Sequence, residues 1–140
     1  MKQKFLIPVL TLFIGVIVGL AFDTNLIAGK KPLTRTVLLR QDLADMKGKE
    51  VIISTVEIAP NAKTPEHYHP AHVFAYILEG SGIVEYEGEI PENFQPGQAF
   101  YEVPNRNIIT TNTSATKPIK AIVFIIKDKD KPGVVNVNTK

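Results

Sequence analysis

The chain has no cysteine and no tryptophan in 140 residues, and only three histidines and two methionines. The missing cysteine excludes disulfides, thiol catalysis, iron–sulfur clusters, Cys-ligated zinc and a lipid anchor on an N-terminal cysteine. A surplus of either charge is also missing. Sixteen basic residues face 14 acidic ones, and Lys2 and Lys4 account for the net +2. Without residues 1–21 the chain is neutral. A nucleic-acid partner is therefore not expected, because phosphate binding draws on a basic surplus or patch. The densest basic run, Lys127, Lys129 and Lys131, is interrupted by Asp128 and Asp130. A βαβ alternation, a glycine-rich phosphate loop and a Gly-x-Ser-x-Gly elbow are absent as well, which excludes a dinucleotide crevice and a serine-hydrolase site of that type.

What is present begins with a long apolar run. Met1-Lys2-Gln3-Lys4 is a short positive start, and Phe5 to Phe22 then runs 18 residues without a charge, leaving through Gly19-Leu20-Ala21. This is the layout of an exported chain, with residues 1–21 as a cleaved signal peptide or as an uncleaved membrane anchor. The working domain is then expected in the periplasm or outside the cell. If the segment is retained, residues 5–22 are the only membrane contact. Residues 22–33, with Asn25, Gly29 and Pro32, read as a linker.

From Thr34 onward the pattern is strand. Short β-prone runs cover Thr34–Leu39, Val51–Ala59, Val73–Leu78, Ile83–Tyr86, Gln98–Val103, Ile108–Asn112 and Ile119–Ile126, separated by turn signals such as Glu79-Gly80-Ser81-Gly82 and Glu87-Gly88. Val73–Leu78 is apolar at every position before Glu79, which predicts burial on both faces. The one helix candidate is Gln41–Lys47. The tail 128–140, with Pro132 and Gly133, reads as loose. Seven or eight short strands in about 100 residues make a single all-β domain over 34–127, a small sandwich or barrel.

All three histidines lie in Pro65-Glu66-His67-Tyr68-His69-Pro70-Ala71-His72. Residues two apart on a strand point to the same face, so His67 and His69 aim two imidazoles into one space, as a metal ion asks of its first ligands. His72 falls on the other face of a regular strand, but Pro70 makes a break that leaves its direction open.

These residues carry a resemblance. Pro60 to Gly80 resembles the first motif of the cupins, with His67-x-His69 and Tyr76-Ile77-Leu78-Glu79-Gly80 in place. Gly97 to Asn112 is similar to the second motif, with Gly97, Pro104 and Asn112 kept. The resemblance implies a small double-stranded β-helix, a jelly-roll barrel, over about Val51–Ile126, and a homodimer. It also implies four metal ligands, of which two are replaced. The motif-one Glu falls at Val73, and the motif-two His at Ile108, or at Asn107 if the loop is one residue short. Glu102, before the motif-two loop, is the candidate substitute, with His72 as a second. His67, His69 and Glu102 would suit one divalent transition metal (Fe, Mn, Ni, Cu or Zn), or the barrel holds none.

Arg106 and Asn107 stand where a ligand was expected and are candidate substrate contacts at the barrel mouth. Tyr76 is a third, as an aromatic wall, though Phe74, Tyr76 and Leu78 also read as core or dimer contact. Three functions follow: a metal-dependent, dioxygenase-like enzyme on a small oxygenated molecule; a non-enzymatic small-molecule binder with a degraded metal site; or a dimer scaffold.

Overall fold

The computed structural model describes residues 31–137. The expected signal or anchor, nearly all of the linker and residues 138–140 lie outside the described residues. Ten strands follow one another: β1 (Leu33–Asp42), β2 (Lys49–Ile58), β3 (His67–Tyr68), β4 (His72–Glu79), β5 (Gly82–Tyr86), β6 (Glu92–Phe94), β7 (Ala99–Glu102), β8 (Ile108–Asn112), β9 (Ile119–Asp128) and β10 (Val135–Asn136). They form two five-stranded sheets, ordered β1-β2-β9-β4-β7 and β10-β3-β8-β5-β6. Every pairing between these strands is antiparallel. The all-β fold expected from the strand pattern, and the jelly-roll arrangement of two facing sheets that the resemblance implies, are therefore present.

β9 is the spine of the first sheet. It pairs with β2 over ten residues, from Lys49↔Asp128 to Ile58↔Ile119, and with β4 on its other side. Strand alternation then sorts the side chains. Ile52, Ile58, Val73, Ala75, Ile77, Ile119, Ala121 and Ile125 turn inward and are buried. Ile77, Ile119 and Ile58 pack with Val84, Phe94 and Ile108 from the second sheet, which closes one end of the barrel. Gly82 lies so close to that packing that a Cβ there would collide with the Thr111 carbonyl oxygen.

Asn112 holds the closed end together. Its side chain is buried, and Nδ2 donates to the carbonyls of Ile58, Ala59 and Lys117 at 3.0, 3.1 and 2.9 Å. Its Oδ1 accepts from the Ser114 amide at 3.0 Å. One amide thus ties the ends of β2 and β8 to the loop that enters β9.

Three local expectations are corrected. Gln41–Lys47 is not a helix. Gln41 and Asp42 pair with Val51 and Glu50 as the end of β1, and a turn closed by Leu43 and Lys49 follows. Seven residues are too few to offset helix nucleation against a ready-made strand partner. The tail past Lys127 is not loose throughout: Val135 and Asn136 pair with Tyr68 and His67. β4 is buried on one face only. Phe74, Tyr76 and Leu78 are exposed on the other, because nothing among the described residues covers the outside of the first sheet. Tyr101, Phe74, Phe124, Ile53 and Leu39 form one apolar row across five strands there.

Truncating the clamp should be costly. Asn112→Ala removes the side-chain partner of the Ile58 and Lys117 carbonyls and of the Ser114 amide, while the Ala59 carbonyl keeps its bond from the Ala62 amide. At about 1–3 kcal/mol for a buried polar group left unpaired, a loss of about 3 kcal/mol is expected. Urea denaturation measures it; a loss under about 1 kcal/mol would show that Asn112 does not carry the closed end.

Candidate functional site

The open end of the barrel holds a cavity of about 290 Å³. Its walls are mainly apolar, from Ala75 and Ile77 of β4, Phe100 of β7 and Val123 and Ile125 of β9. His67, His69 and Glu102 line it together with Thr64, Thr110 and Arg35. The paired histidines and the candidate carboxylate are therefore brought into one space.

Strand register explains how. Glu102 on β7 pairs directly with Val73 on β4, and Ile108 on β8 pairs directly with His67 on β3. Residues opposite each other on adjacent strands share a face. Both positions where the resemblance expects a ligand therefore stand beside His67 and Glu102, but they carry buried apolar side chains and do not line the cavity. The acid absent at Val73 stands one strand away, at Glu102.

The hydrogen bonds fix the imidazoles. His67 Nδ1 donates to the Pro65 carbonyl at 2.8 Å, and His69 Nδ1 donates to the Gly133 carbonyl at 2.5 Å. A carbonyl can only accept, so in the neutral rings the proton sits on Nδ1 and Nε2 keeps its lone pair. The two rings lie edge to face, with centroids 5.0 Å apart. His69 Nε2 faces Glu102 Oε2 at 3.3 Å. Glu102 Oε2 is buried and has no hydrogen-bond partner.

Burial sets the charges. It pushes the Glu102 carboxyl up from 4.5 to about 7. It pushes His69 down from 6.5 to about 4, against the opposing pull of the Gly133 carbonyl; the charges of His67 and Arg35 lower it further. His67 is lowered as well, by burial, with its bond to Pro65 opposing. Near neutral pH His69 is uncharged, so its contact with Glu102 is not an ion pair despite the short distance. Two lone-pair acceptors 3.3 Å apart need something positive between them: a proton or a cation.

The donor chemistry suits one divalent transition metal: two imidazole nitrogens held by carbonyls behind them, and one unpaired buried carboxylate oxygen. Position falls short of that. Among the described residues, no three His, Asp or Glu side chains come together as a group able to hold a metal ion. His69 and Glu102 meet, and His67 stands beside them.

The other candidates are placed elsewhere. His72 is exposed on the outer face of β4, with Nδ1 2.6 Å from the Tyr101 hydroxyl, so the Pro70 break does not turn it inward. Tyr76 lies on the same outer face. Neither lines the cavity, because β4 alternates and Val73, Ala75 and Ile77 take the inner positions. Arg106 is tied to Glu89 at 2.5 Å and sits over the Tyr86 ring at 4.9 Å. The Asn107 carbonyl accepts from the Glu87 amide at 3.1 Å. Both belong to the loop end by the β5–β6 hairpin and do not line the cavity. The sequence reading missed Arg35 and the Gly133 carbonyl. Only the pairing of β1 with β2 brings Arg35 to the cavity, and only the fold of the tail onto β3 brings the Gly133 carbonyl to His69.

Two facing antiparallel sheets, a His-x-His pair inside and a carboxylate one strand over define a double-stranded β-helix barrel. The family model described as a Cupin domain matches residues 54–125, and the chain belongs to that family. Among solved structures it is similar to the DMSP lyase DddQ from Ruegeria pomeroyi DSS-3, with TM-score 0.61 and 20% identity over 75% of this chain and 51% of that one. It is similar to the polyketide cyclase RemF from Streptomyces resistomycificus, with TM-score 0.60 and 23% identity over 79% and 74%. A double-stranded β-helix protein from Klebsiella pneumoniae matches with TM-score 0.58 and 14% identity over 79% and 88%. These likenesses are of fold. The chain spans about half the length of the lyase. No curated protein matches it significantly.

The paired shifts give a pH prediction. Glu102 is protonated up to about pH 7 when folded but ionises near 4.5 when unfolded. Its contribution is thus full below 4.5 and is lost as pH rises to 7. His69 acts oppositely, adding stability as pH rises from about 4 to 6.5. Glu102→Gln removes only the first effect. Relative to the parent, the variant should gain up to about 3 kcal/mol at pH 8 and almost nothing at pH 4.5, at about 1.4 kcal/mol per pKa unit. Urea denaturation at both pH values, in a chelator, measures this; an equal difference at the two would contradict the buried, proton-holding carboxyl.

Proposed function

We propose that this cupin domain binds a small, largely apolar molecule in its barrel, with an oxygen of that molecule meeting His69 and Glu102. The observation that carries this reading is the apolar cavity of about 290 Å³ ending in an unpaired, buried Glu102 Oε2. A carboxyl with its pKa near 7 donates a hydrogen bond to a carbonyl when protonated and accepts one from a hydroxyl when ionised. The same group is suited to general acid or base work, so a proton-transfer reaction on the bound molecule is within its chemistry. The apolar walls, Phe100 and Ile77 among them, bury the ligand's body.

A second reading is a metal-dependent, dioxygenase-like enzyme. It is favoured by the bare Nε2 of His69 3.3 Å from the unpaired carboxylate oxygen, with the imidazole of His67 next to that of His69. His67, His69 and Glu102 would hold the ion, which would supply Lewis-acid or redox chemistry at a bound oxygen atom. One experiment separates the two readings. The full chain, made without a histidine tag, is assayed for metal by elemental mass spectrometry and for co-purifying small molecules by extraction. The binding reading expects metal well below one per chain and not restored by reloading with Mn, Fe, Ni, Cu or Zn, with ligand lost in Glu102→Ala. Near-stoichiometric metal that falls in His67→Ala, His69→Ala and Glu102→Ala would overturn it in favour of the enzyme.

The reading includes a homodimer formed through the outside of the first sheet. The exposed row of Tyr101, Phe74 and Phe124 supports it, since an apolar face of that breadth is costly in water. Phe74→Lys should shift the sedimenting mass from dimer to monomer. A monomeric parent would remove the dimer from the reading.

A further inference from the structure

A second cleft, of about 400 Å³, adjoins the cavity along β1, and Arg35 lines both spaces. The cleft is walled by Arg35, Arg40, Lys127, Lys129 and Lys131, and no acidic residue lines it. Four of those cations already have partners. Arg40 and Lys127 share Glu50 Oε1, at 2.5 and 2.7 Å. Lys129 is 2.6 Å from Asp42, and Lys131 is 3.1 Å from Asp128.

Arg35 differs. Its Nε donates to Ser54 Oγ at 3.2 Å, and among the described residues no carboxylate pairs with it. Arg35 is solvent-exposed on β1, yet partial burial by the packing around it and the neighbouring Arg40 charge both work against its own charge. An unpaired guanidinium beside other cations is an arrangement that a bound anion would relieve. The planar fork of arginine matches a carboxylate with two parallel hydrogen bonds. Because one guanidinium is left without a counter-charge, a singly charged head fits better than a phosphate dianion.

We propose that Arg35 is a ligand-binding residue that takes the carboxylate of an amphipathic monocarboxylic acid, whose apolar body lies in the barrel. The proposal rests on the binding reading above and narrows its ligand class. Such a ligand would run from Arg35, at the boundary of the two spaces, along the apolar walls towards His69 and Glu102. The 290 Å³ cavity limits the body to a short chain or one ring.

The test compares two probes with matched apolar bodies, octanoate and octan-1-ol, by calorimetric titration of the full chain at pH 7 and low salt. Octanoate should bind at least about tenfold more tightly than octan-1-ol, the scale of one charge-assisted pairing. Arg35→Gln should weaken octanoate by about tenfold and leave octan-1-ol within about twofold, while Arg35→Lys should retain most of the difference. An unchanged urea midpoint in Arg35→Gln would show that the barrel is intact. Octanoate and octan-1-ol binding equally, with no response to Arg35→Gln, would overturn the carboxylate assignment and leave the cavity reading standing. Failure of both probes to bind would overturn the cavity reading and this proposal with it.

Discussion

A single buried ammonium organises the open end of the barrel. Lys127, near the end of β9, is almost wholly enclosed, and its Nζ reaches the carbonyls of Asp128, Lys129 and Lys131 as well as Glu50. It gathers the chain just past β9 into a compact turn. Two residues further on, the Gly133 carbonyl takes the Nδ1 proton of His69. β10 then pairs back onto β3, beside His67. The charge inside the wall thus fixes the loop, the loop fixes the tautomer of His69, and the tautomer decides which nitrogen faces Glu102. A buried charge is tolerable only when each of its protons finds an acceptor, and Lys127 meets that condition.

Apolar packing around this site sets its charge. Val73 and Ile108 occupy their strand positions beside Glu102 and His67, and they pack as core. These apolar side chains dry the surroundings of Glu102, and drying raises its pKa. A carboxyl that would be plainly ionised on the surface becomes one that exchanges its proton near neutrality. The retained imidazoles are dried as well, and His69 is uncharged through the same range.

Much of this was legible from residue order. The strand runs, their turns and the neutral composition were enough for an all-β barrel. That His67, His69 and Glu102 would share one space was legible because strand period and motif spacing are local properties. What failed was non-local. Nothing within Gln41–Lys47 announces that β2 will capture its first residues. Tyr76 and His72 looked available as contacts, but β4 has an inside and an outside that only the second sheet defines. The tail's polar composition hid the pairing of Val135 and Asn136 with β3. Arg35 looks like an ordinary edge-strand arginine until β1 is laid beside β2 and both spaces open onto its side chain.

β1 has a consequence for the life of the molecule in solution. It is a ten-residue strand at the end of its sheet, exposed along nearly its whole length, and the register with β2 slips between Val37 and Leu39. A long bare edge invites foreign chains to add on as a further strand. The slip bends the ladder in the middle of the most apolar stretch, and Arg35 and Arg40 bracket it with like charges. An incoming strand would find straight runs too short to zip along and a repelling copy of itself at each side. The same two arginines that shape the cleft therefore also act as guards against fibrous association, which matters most while a newly made chain is still finding its partner strands.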